Sequence, residues 1–310
     1  MKNRFRGLIP ATYTPLTSKG EVDLDAIRPL VERLLADGVD GLYVCGSTGE
    51  GVSLRVDERK AVTEAFIAAV NERVPVIVHV GHNSLTEACH LAAHAATVGA
   101  AATSAMPPTY FRIGDVRIVA DCCAEIAAAA PGLPFYYYHI PIMSGVALDV
   151  VSLLGQVADR IPNFDGVKYT ANTIHEYQEC VAFDGGRFDM LYGYDELLLP
   201  ALAVGARGAV GSTFNIAAPL YRRVMQAFDA GRLGEAREEQ LRAIRMIRVV
   251  MKWPFHPAMK AVLEMLETPC GPCRLPLPTL TAADTLALGE ELRQIGFFEW
   301  ARPTPPMAKR

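Results

Sequence analysis

The chain has 310 residues, 51% of them hydrophobic, and a formal net charge of −4. Its length fits two average domains or one α/β barrel with additions, and its charge gives no sign of a nucleic-acid surface. No apolar run reaches the roughly 18 residues of a membrane span, and residues 1–7 lack the apolar core of a signal peptide. Seven cysteines, an odd number, favour a reducing compartment over a disulfide framework. We therefore expect a cytoplasmic protein without membrane or nucleic-acid partners.

Short β-rich runs alternate with helical patterns about eight times along the chain, which is typical of βα units around a parallel sheet. Several of the runs are continuously apolar, as in strands covered on both faces. In the segment 56–70, Val62, Phe66 and Val70 recur at helical spacing. Asp149 is placed to cap the helix after strand five. The predicted strands cover residues 8–14, 41–44, 76–80, 101–105, 135–140, 165–170, 190–193 and 206–211.

Eight such units within about 230 residues fit a closed (β/α)8 TIM barrel better than an open sheet. We predict a catalytic barrel over residues 1–230 and a C-terminal helical extension, packed on the barrel, over residues 231–310. The last residues, 302–310, are predicted to form a loose tail. In a barrel of this kind the chemistry lies at the C-terminal ends of the strands, so the candidate residues are sought there.

Lys168 is the first candidate, because it is the single lysine between Lys60 and Lys252. Only lysine, and not arginine, can lose its proton, attack a carbonyl and form an imine. The surrounding residues 165–170 resemble a buried strand, where desolvation would lower the lysine pKa as imine chemistry requires. Lys168 is therefore a candidate Schiff-base nucleophile. A snorkelling or salt-bridged lysine at a strand end is the alternative.

The loop after strand two reads Gly-Ser-Thr-Gly-Glu over residues 46–50. Its glycines let the backbone turn sharply and approach a ligand, while the hydroxyls of Ser47 and Thr48 and nearby amides can hold a carboxylate. The motif lacks the Gly-Lys-Ser/Thr ending of a phosphate-binding loop. The sequence therefore indicates a carboxylate-binding loop, with an ordinary turn as the alternative.

Strands five and six place further polar groups on shared faces. Alternation along strand five puts Tyr136 and Tyr138 on one face and Tyr137 on the other. Tyr138, at the C-terminal end, could relay a proton, although three tyrosines in a strand are also typical of core packing. On strand six, Thr170 follows Lys168 by two residues and shares its face.

Strands seven and eight end in Gly-Tyr-Asp-Glu (residues 193–196) and Gly-Ser-Thr-Phe-Asn (residues 211–215). The adjacent carboxylates of Asp195 and Glu196 suit hydrogen bonding to a polyol. Asp195 could equally cap a helix that starts at Glu196.

Three other motifs are weaker. The segment 270–273 reads Cys-Gly-Pro-Cys, a thioredoxin-type tetrapeptide, but it lies in a Pro-rich loop after a helix, which disfavours redox activity. His90 and His94 share a helix face without a third metal ligand. His79 and His82 flank the end of strand three and could reach the barrel mouth, yet they lack the carboxylates of a metal aldolase site. We therefore predict no metal.

Together, five motifs carry a resemblance to a known family, which runs from about residue 7 to residue 296. The chain resembles the dihydrodipicolinate synthase/N-acetylneuraminate lyase family of class I aldolases, and within it the N-acetylneuraminate lyase branch. Each motif is weak singly, but their order and spacing match the family. The motifs are GSTGE (46–50), YHIP (138–141), GVK (166–168), GYDE (193–196) and GSTFN (211–215).

The resemblance implies a set of roles. By the resemblance, Lys168 is the Schiff-base lysine and Tyr138 is the proton-relay tyrosine. Ser47 also belongs to the proton relay, and Tyr110 reaches into a neighbouring subunit's site. The implied substrate-binding positions are Ser47, Thr48, Thr170, Gly193, Asp195, Glu196, Gly211 and Ser212. Residues 106–109 depart from the family pattern, which bears on the placement of the adjacent tyrosine. The family forms homotetramers and needs no metal or organic cofactor, because the lysine itself is the electron sink.

The resemblance also implies a reaction, the reversible cleavage of N-acetylneuraminate to N-acetylmannosamine and pyruvate. Met143 stands where dihydrodipicolinate synthases carry an arginine, and a thioether cannot pair with a carboxylate. Asp195 and Glu196 would likewise repel an anionic aldehyde. Four alternatives remain at this point: a 2-keto-3-deoxy sugar acid aldolase or hydratase-aldolase, a dihydrodipicolinate synthase-like enzyme, a metal-dependent aldolase, and a catalytically silent sialate-binding barrel.

Overall fold

The computed structural model describes residues 5–301. The strands of its single eight-stranded parallel sheet follow the order β1-β8-β7-β6-β5-β4-β3-β2. Ala11 bridges to Tyr43, so the two ends of the sheet meet and the barrel closes. The strands are β1 Gly7–Pro10, β2 Leu42–Val44, β3 Val76–His79, β4 Ala102–Ala105, β5 Phe135–His139, β6 Phe164–Tyr169, β7 Asp189–Tyr192 and β8 Gly208–Gly211.

Helices cover the outside of the barrel, and the predicted (β/α)8 fold is confirmed. The barrel helices are α1 Ile27–Ala36, α2 Val56–Val70, α3 Leu85–Thr97, α4 Val116–Ala128, α5 Pro141–Ser144, α6 Val150–Val157, α7 Ile174–Ala182, α8 Leu198–Ala203 and α9 Phe214–Asp229. Helix α2 has the predicted bounds, and its apolar residues Val62 and Phe66 are buried against the sheet. The Asp149 side chain accepts a hydrogen bond from the Ser152 amide and caps α6, as predicted.

Two buried layers result from the alternation of side chains along the strands. The barrel interior holds a small cluster that includes Ile9, Tyr43, Tyr136, Tyr138 and Leu191. The larger cluster lies between sheet and helices, and it contains Tyr137. The predicted separation of Tyr137 from its two neighbours is therefore confirmed.

Up to residue 301, four more helices follow the barrel: α10 Leu233–Val250, α11 Phe255–Met265, α12 Ala282–Gln294 and α13 Phe297–Trp300. Their apolar faces belong to the same buried cluster as the outer layer of the barrel, for example Met246 on α10 and Leu263 on α11. The division at residue 230 stays a prediction. The predicted loose tail, residues 302–310, lies outside the described residues, as do residues 1–4. Within residues 5–301, no helix is both long enough and apolar enough to cross a membrane.

Candidate active site

Lys168 lies inside the barrel on β6, in register with Tyr138 on β5 and Leu191 on β7. Only 3% of its surface is exposed. Its Nζ is 3.8 Å from the ring centre of Tyr43 and 4.0 Å from that of Tyr138. Burial lowers the pKa of Lys168 to about 7, although the charge of Asp195 acts in the opposite direction. The amine is therefore substantially neutral near pH 7, as a nucleophile must be.

Lys168 is not the salt-bridged lysine of the alternative interpretation. Among residues 5–301, no hydrogen bond or ion pair at contact distance involves its Nζ. The buried lysine that does form such a pair is Lys260 on α11, whose Nζ lies 2.7 Å from the Glu50 carboxylate. Lys260 also donates to the carbonyl oxygens of Thr14 and Pro272. Its amine is occupied, whereas that of Lys168 faces two aromatic rings.

Tyr138 is buried beside Lys168 at the carboxyl end of β5. Burial raises its pKa to about 12, and the hydroxyls of Ser47 and Thr170 oppose the rise. Thr170 Oγ1 is also buried, and it has no hydrogen-bond partner of ordinary geometry among the described residues. The Thr170 hydroxyl therefore faces Tyr138 and retains hydrogen-bonding capacity for a ligand at this position. The structure thus brings Lys168, Tyr138, Ser47 and Thr170 together.

The loop at residues 46–50 is held in place from two sides. Thr48 Oγ1 and Ser212 Oγ are 2.7 Å apart, which joins the loops after β2 and β8. At the loop's two ends, Cys45 and Glu50 have left-handed backbone conformations with φ of 59° and 54°, a strain that persists only where surrounding contacts impose it. Those contacts include the pairing of Glu50 with Lys260 and the Arg274 amide. Ser47 and Thr48 are thereby presented at the barrel mouth.

Asp195 is held by the loop after β8 and does not cap its own helix. Its Oδ2 accepts hydrogen bonds from the Thr213 amide (2.8 Å) and hydroxyl (2.6 Å). The short 3-10 helix Asp195–Leu197 has no side-chain cap. The capping alternative is therefore wrong. Burial raises the pKa of Asp195 to about 7, with the Thr213 hydrogen bonds opposing the rise, so this carboxyl group and Lys168 titrate in the same pH range.

Two glycines of the site make room for its polar side chains. A Cβ atom at Gly193 would lie 2.0 Å from Thr170 Oγ1, and one at Gly211 would lie 2.3 Å from Asp195 Oδ1. Neither contact is sterically allowed. Gly193 and Gly211 therefore permit the positions that Thr170 and Asp195 occupy. Glu196 follows Asp195 on the same loop and is partly exposed.

Tyr110 does not join this cluster within the chain. Its side chain is 81% exposed, and its ring lies edge-on to that of Phe111, which is 80% exposed. The Asn83 side chain accepts hydrogen bonds from the amides of Thr109 and Tyr110 and orders the segment. The exposure leaves both rings available to another molecule.

Two further aromatic residues line the site: Tyr43, which was not predicted from the sequence, and His79, which the sequence placed only at the end of strand three. Tyr43 covers Lys168 and donates from its hydroxyl to Ser104 Oγ. His79 is buried beneath the site with its ring centre 5.7 Å from that of Tyr138. Burial and the nearby Arg59 lower the pKa of His79 well below its usual value, so it is neutral. The sequence feature that could have identified Tyr43 is the alternation of side chains along β2, which directs Tyr43 into the barrel. A strand of only three residues shows this alternation weakly.

The remaining motifs are placed elsewhere. All seven cysteines are free, and burial raises the pKa of Cys270 and of Cys273 to about 12, which makes the thiols poor nucleophiles. His90 and His94 lie beside Glu87 and Glu64, respectively. Within residues 5–301, no group of three or more His, Cys, Asp or Glu side chains is arranged to hold a metal ion.

Comparisons with known proteins identify the family. The model of the dihydrodipicolinate synthetase family matches residues 4–295. The chain is 38% identical to the N-acetylneuraminate lyase of Mus musculus over 96% of this chain and 94% of that protein. The solved N-acetylneuraminate lyase (sialic acid aldolase) of Aliivibrio salmonicida superposes with a TM-score of 0.92 at 41% identity, covering 95% of this chain and 98% of the other.

A third relative is a catalytic lysine mutant of the Ruminococcus gnavus sialic acid aldolase. It superposes with a TM-score of 0.91 at 30% identity and covers 96% of this chain and 98% of its own. The (β/α)8 barrel and these relatives define the class, the carbon–carbon lyases built on this barrel. The chain belongs to the dihydrodipicolinate synthetase family.

Proposed function

We propose that this protein is a class I aldolase that cleaves N-acetylneuraminate reversibly to N-acetylmannosamine and pyruvate. The observation that carries the proposal is Lys168, a buried amine with a pKa of about 7 and no anionic partner at contact distance. Relatives named N-acetylneuraminate lyase or sialic acid aldolase, at 38% and 41% identity over nearly the whole chain, support the choice of substrate.

The first steps use Lys168 and Asp195. Neutral Lys168 adds to the C2 ketone of the open-chain sugar acid, and loss of water gives a protonated imine. The Asp195 carboxylate favours positive charge on Lys168, since it acts to raise the lysine pKa. The same negative charge would stabilise the cationic imine. Ser47 and Thr48, at the end of β2, bind the substrate carboxylate next to this carbon.

Bond cleavage then requires removal of the proton from the C4 hydroxyl. Electrons of the C3–C4 bond flow into the imine as that proton leaves, which gives an enamine and N-acetylmannosamine. With a pKa of about 12, Tyr138 is a neutral phenol that can accept a proton only as it passes its own onward. The substrate carboxylate is the final acceptor, and the Ser47 hydroxyl beside Tyr138 can pass the proton on to it. Protonation and hydrolysis of the enamine release pyruvate and restore Lys168.

Polar groups at the mouth suit the rest of the sugar chain. Thr170, Asp195 and Glu196 offer hydrogen-bond partners for neutral hydroxyls, together with backbone groups of Gly193, Gly211 and Ser212. Two carboxylates there would repel an anionic aldehyde. Met143, on α5, is exposed and supplies no positive charge for a second carboxylate. These features favour the sugar acid over the substrate of a dihydrodipicolinate synthase.

We further propose that the enzyme is a cytoplasmic homotetramer in which Tyr110 reaches a neighbouring subunit's site. The exposure of Tyr110 and Phe111 supports an interface at this segment, because large apolar groups are seldom left in water as a pair. Seven free cysteines are consistent with a reducing compartment. No metal or organic cofactor is required, since Lys168 supplies the electron sink.

A substrate panel tests the proposal. Pyruvate release is measured with N-acetylneuraminate beside several other 2-keto-3-deoxy acids, with Lys168→Met as the inactive control. We expect the highest kcat/KM with N-acetylneuraminate. Faster release from another acid would reassign the substrate, and thermal stabilisation by N-acetylneuraminate without any pyruvate would indicate a silent binding protein.

A further inference from the structure

Gln240 connects the C-terminal helices to the acidic loop of the site. It lies on α10, is buried, and uses both ends of its amide. Its Nε2 donates to the carbonyl oxygens of Asp195 (3.2 Å) and Glu196 (3.1 Å). Its Oε1 accepts from the amide of Leu199 (3.0 Å). One side chain thus holds the backbone on both sides of the turn that carries the two carboxylates.

The turn that carries Asp195 and Glu196 depends on hydrogen bonds from outside the turn. The segment Asp195–Leu197 is a single turn of 3-10 helix, and α8 follows at once with Leu199 in its first turn. Amides in the first turn of a helix have no partner within that helix. A buried amide left without a partner is costly, so loss of Gln240 would make the turn rearrange towards other partners.

The two carboxylates depend on this turn to different degrees. The Asp195 side chain has its own anchor, since Oδ2 accepts two hydrogen bonds from Thr213. The Glu196 carboxylate makes no hydrogen bond or ion pair with any residue from 5 to 301. Its position is therefore set by the backbone, and that backbone is held by Gln240.

We propose that Gln240 is a positioning residue for substrate selectivity, which orients Glu196 and secondarily Asp195 towards the hydroxyls of the sugar. The inference rests on the proposed function, and it makes α10 a part of the recognition of the sugar. Lys168 and Tyr138 lie on β6 and β5, and the hydrogen bonds of Gln240 go instead to Asp195, Glu196 and Leu199. Binding of pyruvate should consequently be independent of this residue, whereas binding of the sugar portion should depend on it.

The substitution Gln240→Met tests the inference, because methionine is similar in length and apolar but donates and accepts no comparable hydrogen bond. We expect KM for N-acetylneuraminate to rise about tenfold, equivalent to about 1.4 kcal/mol. The half-saturating pyruvate concentration for borohydride trapping should stay within about twofold of the parent value. A merely structural role would weaken both together.

Two further variants make the test decisive. Met246→Ala removes from the same helix a buried side chain that donates no hydrogen bond to the turn, so it should lower the thermal midpoint and leave the KM unchanged. Gln240→Glu keeps the acceptor for the Leu199 amide and loses donor capacity, and it should raise KM by an intermediate amount. If Gln240→Met does not fold, the KM of Gln240→Glu is the measurement that decides.

The outcomes separate two failures. If the parent enzyme releases no pyruvate from N-acetylneuraminate, the proposed function is wrong. If the parent is active but the folded Gln240 variants keep its KM, only the inference about Gln240 is overturned. The same conclusion follows if Met246→Ala shifts KM as strongly as Gln240→Met does.

Discussion

Tyr138 and Lys168 are directly opposed across the pairing of β5 with β6, and the lysine Nζ lies 4.0 Å from the centre of the tyrosine ring. The register of two strands therefore fixes the distance between the proposed nucleophile and the proposed proton relay. Rigid strands hold such a geometry better than loops do. The aromatic face also lies against the amine and excludes water from it, which contributes to the low pKa of Lys168.

Replacement of Tyr138 by phenylalanine should separate imine formation from cleavage. The ring and its packing remain, but the relay hydroxyl is lost, and a positioned proton-transfer group typically contributes about 10²- to 10⁴-fold to rate. We expect kcat for cleavage to fall by about that factor, with borohydride trapping of pyruvate reduced much less. Stopped assays of both reactions on the same preparation provide the measurement.

Tyr137→Phe is the matched control for that variant. Tyr137 lies on the same strand but in the outer layer, between sheet and helices. Its hydroxyl is remote from the chemistry, so both assays should give parental values. Equal losses of cleavage and trapping in Tyr138→Phe would mean instead that Tyr138 has a structural role.

The pH dependence of imine formation should report Lys168. The amine must be neutral to attack, so the trapping rate should rise with pH through about 7, the pKa to which burial lowers Lys168. Asp195 has a pKa of about 7 as well, so the apparent midpoint belongs to the interacting pair. Cyanoborohydride trapping with pyruvate across pH 5 to 9 measures it.

Substitution of Asp195 by asparagine should move that midpoint to lower pH. The Asp195 charge acts to raise the lysine pKa, so its removal leaves burial unopposed and the pKa of Lys168 falls further. Glu196→Gln should shift the midpoint much less, since Glu196 is not among the groups that shift the lysine pKa and acts only through Asp195, whose pKa it raises. A midpoint that stays in place or moves upward in Asp195→Asn would contradict the electrostatic account.

The buried pair of Lys260 and Glu50 should be important for stability. Lys260→Met leaves the Glu50 carboxylate buried without its partner, and breaking such a pair typically costs about 3–5 kcal/mol in free energy of unfolding. The control Lys252→Met breaks a pair with Glu291 that is partly exposed, and exposed pairs are typically worth about 1 kcal/mol or less. Urea unfolding followed by circular dichroism compares the two variants. Equal effects would show that burial does not matter to the pair.

Tyr110 can be tested by mixing a subunit impaired at Tyr110 with a subunit inactive at Lys168. If its ring serves a neighbouring site, Tyr110→Ala should lower kcat/KM, while a Lys168→Met subunit still carries an intact Tyr110. Co-refolding the two variants should then restore activity above the sum of the separate preparations. Recovery no greater than that sum would place Tyr110 outside the neighbouring site. Size-exclusion chromatography of each preparation reports the oligomer.

The sequence was informative about the barrel because its signals are local. Each βα unit shows its own change from strand-like to helical periodicity, and all eight strands were predicted within a few residues. Alternation alone placed Lys168 and Thr170 on one face of strand six, and it placed Tyr138 on the opposite face of strand five from Tyr137. A parallel barrel then brings strand ends together without further information.

Contacts between distant segments could not be predicted in this way. Gln240 lies 45 residues along the chain from Asp195, and Lys260 lies 210 residues from Glu50. Nothing in a helical pattern shows which loop a buried polar side chain will reach. The alternative that Asp195 caps a helix failed for the same reason, because Thr213 belongs to the next βα unit. His79 was predicted at the end of strand three, and only closure of the barrel brings its ring centre to 5.7 Å from that of Tyr138.

The most direct test of the account is reductive trapping. The enzyme is incubated with pyruvate and borohydride, digested, and mapped by mass spectrometry. We expect one reduced pyruvyl adduct, on the peptide that contains Lys168, and none on Lys260, the other buried lysine, whose amine is paired with Glu50. An adduct on Lys260, Lys60 or Lys252, or no adduct at all, would contradict the assignment of Lys168 as the nucleophile.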